Sequence, residues 1–404
     1  LPELFLAMLV FVVYLISMAI TKNKNASLFA ALISGFVPLF VERTLNGVST
    51  YSLLLLVMFY MFYCLIKMVE DKKYVSRFVI LSFILPLIHP SSLVFIFSII
   101  FYIIFLVSEG MEVNNLRKEA FLFSIILILL VEFIIFKKAF LQYGFSLINY
   151  NIPEQIIEDY FRNVTIFSLM AGVGVIPLIF GVVGIYNGVF KTKNRGVLLL
   201  TGLILSVLFL LATKLIDFFI GLMIFGVALA VLSSLGISLI YRYISITKFS
   251  KYSSYFSYFF IFLVVLLSVV PSVNSARRVL DKSVVYDELI VLGLIRNDPV
   301  NGVVLAGIEE GDLINVVTGK WNVMDTNFLL VDNAVDSAKN IRESFTTSSQ
   351  AIASENFNKY NIKYIYFSDR VRERYNISQI EYAKAGECFE ELGSGKIDAY
   401  KIIS

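Results

Sequence analysis

The chain has 404 residues, of which 58% are hydrophobic, 15% aromatic and 16% charged. Soluble domains carry roughly 25% charged residues, so this composition excludes a soluble globular protein and leaves a membrane protein with the lipid bilayer as its first partner. The net charge of +3 says little beyond this, and no nucleic-acid partner is expected.

Apolar runs occupy about 3–20, 27–41, 51–69, 78–107, 120–136, 165–190, 197–213, 215–241 and 254–271. A spanning helix needs roughly 20 apolar residues, so most of these qualify. The stretch FVPLFVERTLNGVSTYS, 36–52, stands out because two apolar helices run into it and Glu42-Arg43 sits at its membrane boundary. Charge at membrane depth is expensive and marks function, although a charge at a helix end also snorkels harmlessly. The run 78–107 is too long for one crossing, about 45 Å against a hydrocarbon core of ~30 Å. His89-Pro90-Ser91-Ser92 interrupts it, and proline breaks a helix by removing a backbone donor. This gives ten segments.

Charge agrees with that number. One set of alternate loops holds 14 Lys and Arg residues, from Lys22 to Lys251, and the opposite set holds Arg43, Lys137, Lys138, Arg162 and Lys214. By the positive-inside rule the second set faces outward, together with the His89 corner and everything after Pro271. Cys64 lies in an apolar run and Cys388 in a polar region, neither with a CxxC partner, so no disulfide and no thiolate metal site is expected.

From about 280 to 404 the apolar runs shorten and charge becomes frequent, as in a soluble domain. GVVLAG (302–307) and IKYIYFS (362–368) read as buried strands. Val285–Ile295, Val331–Phe345 and Gln350–Tyr360 read as helices, the last capped by Thr346-Thr347-Ser348. CFEELGSGKIDAYKII reads as a β-hairpin turning at Gly393-Ser394-Gly395, and its GSGK lacks the spacing of a phosphate loop. The expected fold class is an α-helical multi-span membrane domain, 1–271, followed by a small extracytoplasmic α/β domain, 280–404.

This layout resembles the GT-C-class membrane glycosyltransferases, and within them the catalytic subunit of archaeal oligosaccharyltransferases. Three stretches carry the likeness. Residues 25–60 resemble the helices around the family's second acidic motif, 211–237 a late helix pair, and 286–325 the start of the soluble domain. The chain departs from the pattern in places. Val48-Ser49-Thr50-Tyr51 stands where the family has an acidic pair, and Ala306-Gly307-Ile308-Glu309-Glu310-Gly311 stands where it has Trp-Trp-Asp-Tyr-Gly. By topology the segment 3–20 corresponds to the family's second helix, so a first helix and the main catalytic loop are expected upstream of Leu1.

The resemblance implies transfer of a sugar or oligosaccharide from a polyprenyl-phosphate-linked donor to a protein or glycan acceptor, on the extracytoplasmic side of the plasma membrane. It also implies a divalent cation, Mg or Mn. Such transfer needs a carboxylate to orient or deprotonate the acceptor and cations on the departing phosphate. The catalytic candidates on the outer side are Glu42, Glu158 and Asp159, the last two equally readable as a solvated helix face. The substrate-binding candidates are Arg43, Arg162, Lys214 and Asp217, with His89 as a corner residue or base, and Glu309 and Glu310 by resemblance. Lys214 also reads as a snorkelling lysine. Glu132, one turn inside a helix end, reads as satisfied by a neighbouring helix. Two other classes stay open: a lipid-linked-sugar transporter, and a catalytically inactive relative acting as an assembly partner. The topology has a direct check. A single cysteine placed within 370–376, in a chain whose own cysteines are replaced, should react with an impermeant reagent from outside; labelling from the cytoplasmic side contradicts the assignment.

Overall fold

The computed structural model describes residues 2–45, 50–144, 165–281, 286–331, 333–385, 388–393 and 397–403. The chain divides into two compact units, Leu1–Ile135 with Tyr160–Asp281, and Phe136–Asp159 with Lys282–Ser404.

The first unit is helical. Helix α1 (Pro2–Thr21) is followed by α2 (Lys24–Gly35), where Asn23 Oδ1 accepts the Ala26 amide at 3.1 Å and caps the first turn. The chain then bends by 50° into the short α3 (Pro38–Thr44), which starts on a proline that has no N–H to lose. A bend in an apolar medium leaves carbonyls without partners. Here the Ser272 hydroxyl donates to the Phe36 carbonyl at 2.6 Å. Helices α4 (Tyr51–Lys67), α5 (Lys73–Ile88), α6 (Leu93–Ser108) and α7 (Asn115–Ile135) follow, with the expected break at His89 taken up by a 3-10 turn over Pro90–Ser92.

Beyond 165 come α9 (Ile166–Val173), α10 (Val175–Tyr186), α11 (Arg195–Ala212), α12 (Phe218–Ile246), α13 (Ser253–Val264) and α14 (Val270–Asp281). The run 165–190, expected as one segment, bends by 105° at Gly174, whose φ of +95° is reached without strain only by glycine. The last run does not stop at Pro271. It continues through a π turn over Val265–Val269 to Asp281, because Pro271 lies in the first turn of α14, where its missing N–H costs least.

Each apolar run of the sequence is helical, but fewer are long and apolar enough to cross a membrane than the ten expected. Among the described residues five helices qualify, or up to seven if each bent pair is one span. The others fall short for separate reasons. Helices α4 and α5 have 17 and 16 residues, and α7 carries Arg117, Lys118 and Glu119 in its first turns.

Helix α12 is the axis of this unit, and from Ile220 to Ile237 every side chain is buried. A helix apolar on all sides belongs at the centre of a bundle. It packs on α10, α2, α11 and α1. The approach to α10 is backbone-close: a Cβ on Gly184 would meet the Leu232 carbonyl at 2.0 Å, and one on Gly236 the Phe180 carbonyl at 2.4 Å. Small residues at helix seams are what lets membrane helices associate, because the hydrophobic effect does not drive them together in lipid.

In the second unit, α8 (Lys137–Tyr143) stands with α15 (Tyr286–Asn297), β1 (Val303–Leu305), α16 (Gly311–Thr318), α17 (Ala334–Thr346), α18 (Gln350–Tyr360), β2 (Ile362–Phe367), α19 (Asp369–Tyr375), β3 (Phe389–Gly393) and β4 (Asp398–Ile402). The sheet runs β1-β2-β4-β3, with β1 parallel to β2 and the other pairs antiparallel. The hairpin appears as expected, though its tip at 394–396 lies outside the described residues. The cap of α18 is corrected by one residue: Ser349 is the N-cap and makes no side-chain cap bond, while Thr347 Oγ1 accepts the Ser349 amide.

The seam between α10 and α12 can be tested. Gly184→Ala should lower stability by about 1–3 kcal/mol through overpacking, whereas Val182→Ala, on an exposed position of the same helix, should have little effect. Thermal midpoints of the two purified variants in one detergent decide between them.

Candidate functional site

Four contacts tie several helix ends of the membrane unit to one end of the bundle. Arg43 of α3 lies over Phe219 at the start of α12, its guanidinium carbon 3.5 Å from the ring centroid. The Tyr51 ring meets the His89 ring edge-on at 5.8 Å. Ser92 donates to Glu132 Oε1 at 2.6 Å, and Ser272 donates to the Phe36 carbonyl. The sequence candidates of this unit stand at that end.

Asp217 is placed by local chemistry. Helix α11 ends at Ala212, and Lys214 follows in the left-handed region with φ +57°, the position where helices usually carry glycine. The turn presents Asp217 as the N-cap of α12, with Oδ1 accepting the Phe219 and Ile220 amides at 2.8 and 2.9 Å. One carboxylate oxygen therefore holds the helix. The other, Oδ2, is buried and has no hydrogen-bond partner among the described residues. Arg43 lies within electrostatic reach of that carboxylate, and its own Nε is buried and likewise unpartnered among the described residues. The stack on Phe219 fixes the guanidinium plane, which stabilises by roughly 0.5–2 kcal/mol. The result is a cation and an anion within electrostatic reach of one another, each with capacity for a further polar contact.

The other candidates each have their own surroundings. Glu42 is half-buried, one residue before Arg43 on α3, and Lys214 is exposed. His89 Nδ1 accepts the Ser91 amide at 3.1 Å and lies 3.0 Å from the Ser91 hydroxyl, as a corner residue would. Glu132 is buried on the hydroxyl of Ser92, the neighbouring-helix partner expected for it. Glu158, Asp159 and Arg162 lie outside the described residues. Among the described residues no three His, Cys, Asp or Glu side chains converge as a metal site.

Glu309 and Glu310 follow β1 in the second unit, and they are unlike each other. Glu309 is exposed and pairs with Arg374 at 3.5 Å. Glu310 is 1% exposed; its Oε2 accepts the Gly307 amide at 3.3 Å, closing the turn after the strand. Burial pushes its carboxyl up to about 7, and Glu288 nearby pushes the same way.

Sequence reasoning did not identify Phe219, Tyr51 and Ser92. The only local signal for Phe219 is an aromatic pair, Phe218-Phe219, opening a helix directly after a carboxylate.

No protein-family model matches this chain, and no curated protein matches it in sequence. Solved structures do match in fold. The Archaeoglobus fulgidus oligosaccharyltransferase in its apo form superposes with a TM-score of 0.60 at 13% identity, over 96% of this chain and 61% of that one. The same protein tethered to an acceptor peptide containing the NVT sequon gives 0.58 at 13% identity, over 91% and 57%. In complex with an inhibitory peptide and a dolichol-phosphate, where it is called the archaeal oligosaccharyltransferase AglB, it gives 0.57 at 13% identity, over 91% and 57%. It has also been solved with Zn and sulfate, TM-score 0.52 at 13% identity, over 90% and 55%. The chain thus has the fold of an archaeal oligosaccharyltransferase, multi-span helices followed by a small α/β domain, over 55–61% of that protein's length.

Glu310 yields a prediction with a definite sign. A buried carboxyl with a raised pKa holds its proton in the folded state, so its contribution is full below the unfolded value of about 4.5 and is lost as pH rises through 7. Glu310→Gln removes that loss. Corrected for intrinsic rates, amide exchange in Val303–Leu305 and Ile362–Phe367 should slow in the variant at pH 8 and match the parent at pH 4.5. Equal effects at both values would show that the carboxyl carries no such penalty.

Proposed function

We propose that the chain is a membrane glycosyltransferase of the oligosaccharyltransferase type. It transfers a sugar or oligosaccharide from a polyprenyl-phosphate-linked donor to a protein or glycan acceptor on the extracytoplasmic side of the plasma membrane. The observation that carries this reading is the Arg43–Asp217 pair, each member with an unpartnered buried atom among the described residues. It lies in a fold shared with a protein solved with dolichol-phosphate and with an acceptor peptide.

In this reading Arg43 and Lys214 take the donor phosphate. An arginine fork matches phosphate oxygens in geometry and charge, and stacking on Phe219 orients it before the lipid arrives. The acceptor nucleophile attacks the anomeric carbon, the bond from that carbon to the phosphate oxygen breaks, and the polyprenyl phosphate leaves with the bonding electrons. Charge grows on the phosphate as the bond breaks, so fixed cations there bind the transition state more tightly than the donor. Glu42 takes the acceptor proton; Glu158, Asp159 and Arg162, outside the described residues, are the further carboxylate and cation candidates for this chemistry. His89 lines the site as a positioning residue. Asp217 keeps Arg43 and α12 in place. In the second unit Glu309, the exposed carboxylate of its pair, is assigned to acceptor binding, and Glu310 fixes Gly307. A divalent cation such as Mg or Mn has no ligand set among the described residues.

The test uses the full chain in lipid nanodiscs with dolichyl phosphate as the probe. A charge-assisted contact is worth about 1.5–3 kcal/mol, so Arg43→Gln should weaken binding roughly tenfold or more. Lys214→Gly, which suits the φ of the turn, should weaken binding while keeping the fold. Unchanged affinity in both variants removes the assignment. Binding without transfer from a lipid-linked oligosaccharide to a sequon peptide would favour the inactive assembly partner.

A further inference from the structure

At the opposite end of the membrane unit, a cavity of about 170 Å³ opens between α4, α6, α7 and α11. Its polar lining is Arg117 of α7, Arg195 and its neighbour Asn194 on α11, and Tyr102 of α6; Leu65, Phe121 and Leu199 are among its apolar walls. No acidic residue lines it among the described residues. Of the carboxylates close by in sequence, Glu70 pairs with Lys67 and Glu109 with Lys193, and the exposed Glu112 and Glu119 are not among the lining residues.

Arg117 is only partly used by the protein. One terminal nitrogen donates to the Ile66 carbonyl at 3.3 Å, a long bond, while Nε is buried and has no hydrogen-bond partner among the described residues. Tyr102 is 2% exposed and lies within electrostatic reach of both guanidinium groups. Asn194 is committed, its Oδ1 to the Gly196 and Val197 amides and its Nδ2 to the Ile20 carbonyl. Two cations therefore face one small cavity whose lining holds no carboxylate among the described residues, and the buried Arg117 Nε is available to an acceptor. The volume is well below the ~300–1,000 Å³ of pockets for drug-sized ligands, so the group that fits is small and anionic.

We propose that this cavity binds a phosphate group, seated between Arg117 and Arg195 with the Tyr102 hydroxyl as a third polar contact. Arginine forks suit phosphate oxygens, and basic pockets between membrane helices take lipid headgroups. The phosphate is that of an anionic phospholipid headgroup or a free phosphate ion.

The two sources are separated by one set of measurements on the full chain in detergent micelles. Thermal midpoints are recorded with phosphatidylglycerol, with phosphatidylcholine and with inorganic phosphate, for the parent, Arg117→Gln, Arg117→Lys and Arg195→Gln. Stabilisation by phosphatidylglycerol that exceeds that by phosphatidylcholine, with a half-saturating concentration raised at least tenfold in both Gln variants, supports a headgroup. The same dependence on inorganic phosphate supports a free ion. Arg117→Lys should recover part of the effect, and a folded Arg195→Gln, at an exposed position, keeps the test valid if Arg117→Gln fails to fold. A response equal for both lipids and absent with inorganic phosphate overturns the proposal, as does a response that both Gln variants retain.

Discussion

The membrane unit depends on the burial of one helix. Helix α12 touches side chains or backbone on every face, and its contact with α10 is close enough that glycine is required at Gly184 and Gly236. In lipid there is little hydrophobic gain from bringing helices together, so close packing of small residues has to hold the seam. Because α12 cannot shift, its first turn is fixed, and with it Asp217 and Phe219. Arg43 then has a single ring to stack on. The chemistry at the end of the bundle rests on packing deep inside it.

Charge is handled in two ways in this unit. At one end Arg43, stacked on Phe219, lies within electrostatic reach of Asp217, and each keeps an unmet atom among the described residues. At the other end Arg117 and Arg195 share a cavity with no carboxylate lining it among the described residues. The second arrangement concentrates positive charge at the ends of the helices, where phosphate headgroups are found in a membrane. The second unit deals with charge differently. Glu310 is buried as a turn-closing acceptor, and Lys401 pairs with Asp298 beside the sheet.

Proline and glycine mark where the helices depart from straight spans. Pro38 opens α3 after the 50° bend, Gly174 permits the 105° bend, and the Pro90 turn separates α5 from α6. Each bend frees backbone groups, and polar side chains meet several of them, as Ser272 does for Phe36. Ser272 is a small hydroxyl in an apolar segment with this use, which composition alone does not display.

Apolar runs, the break at His89, the strands at 302–307 and 362–368 and the C-terminal hairpin were all legible in the sequence, because each is set by local pattern: run length, proline chemistry and β-rich composition. The candidate residues Arg43, Lys214 and Asp217 were legible too, since charge beside apolar runs is rare. What only the tertiary structure decided is which of these meet. Arg43 and Asp217 are separated by most of the unit in sequence, and their meeting depends on how α3 docks on α12. The division of labour between Glu309 and Glu310 follows from burial, which adjacent identical residues cannot reveal. The grouping of α8 with the C-terminal unit is likewise a matter of long-range contact, and hydropathy, being a property of neighbours along the chain, carries no information about it.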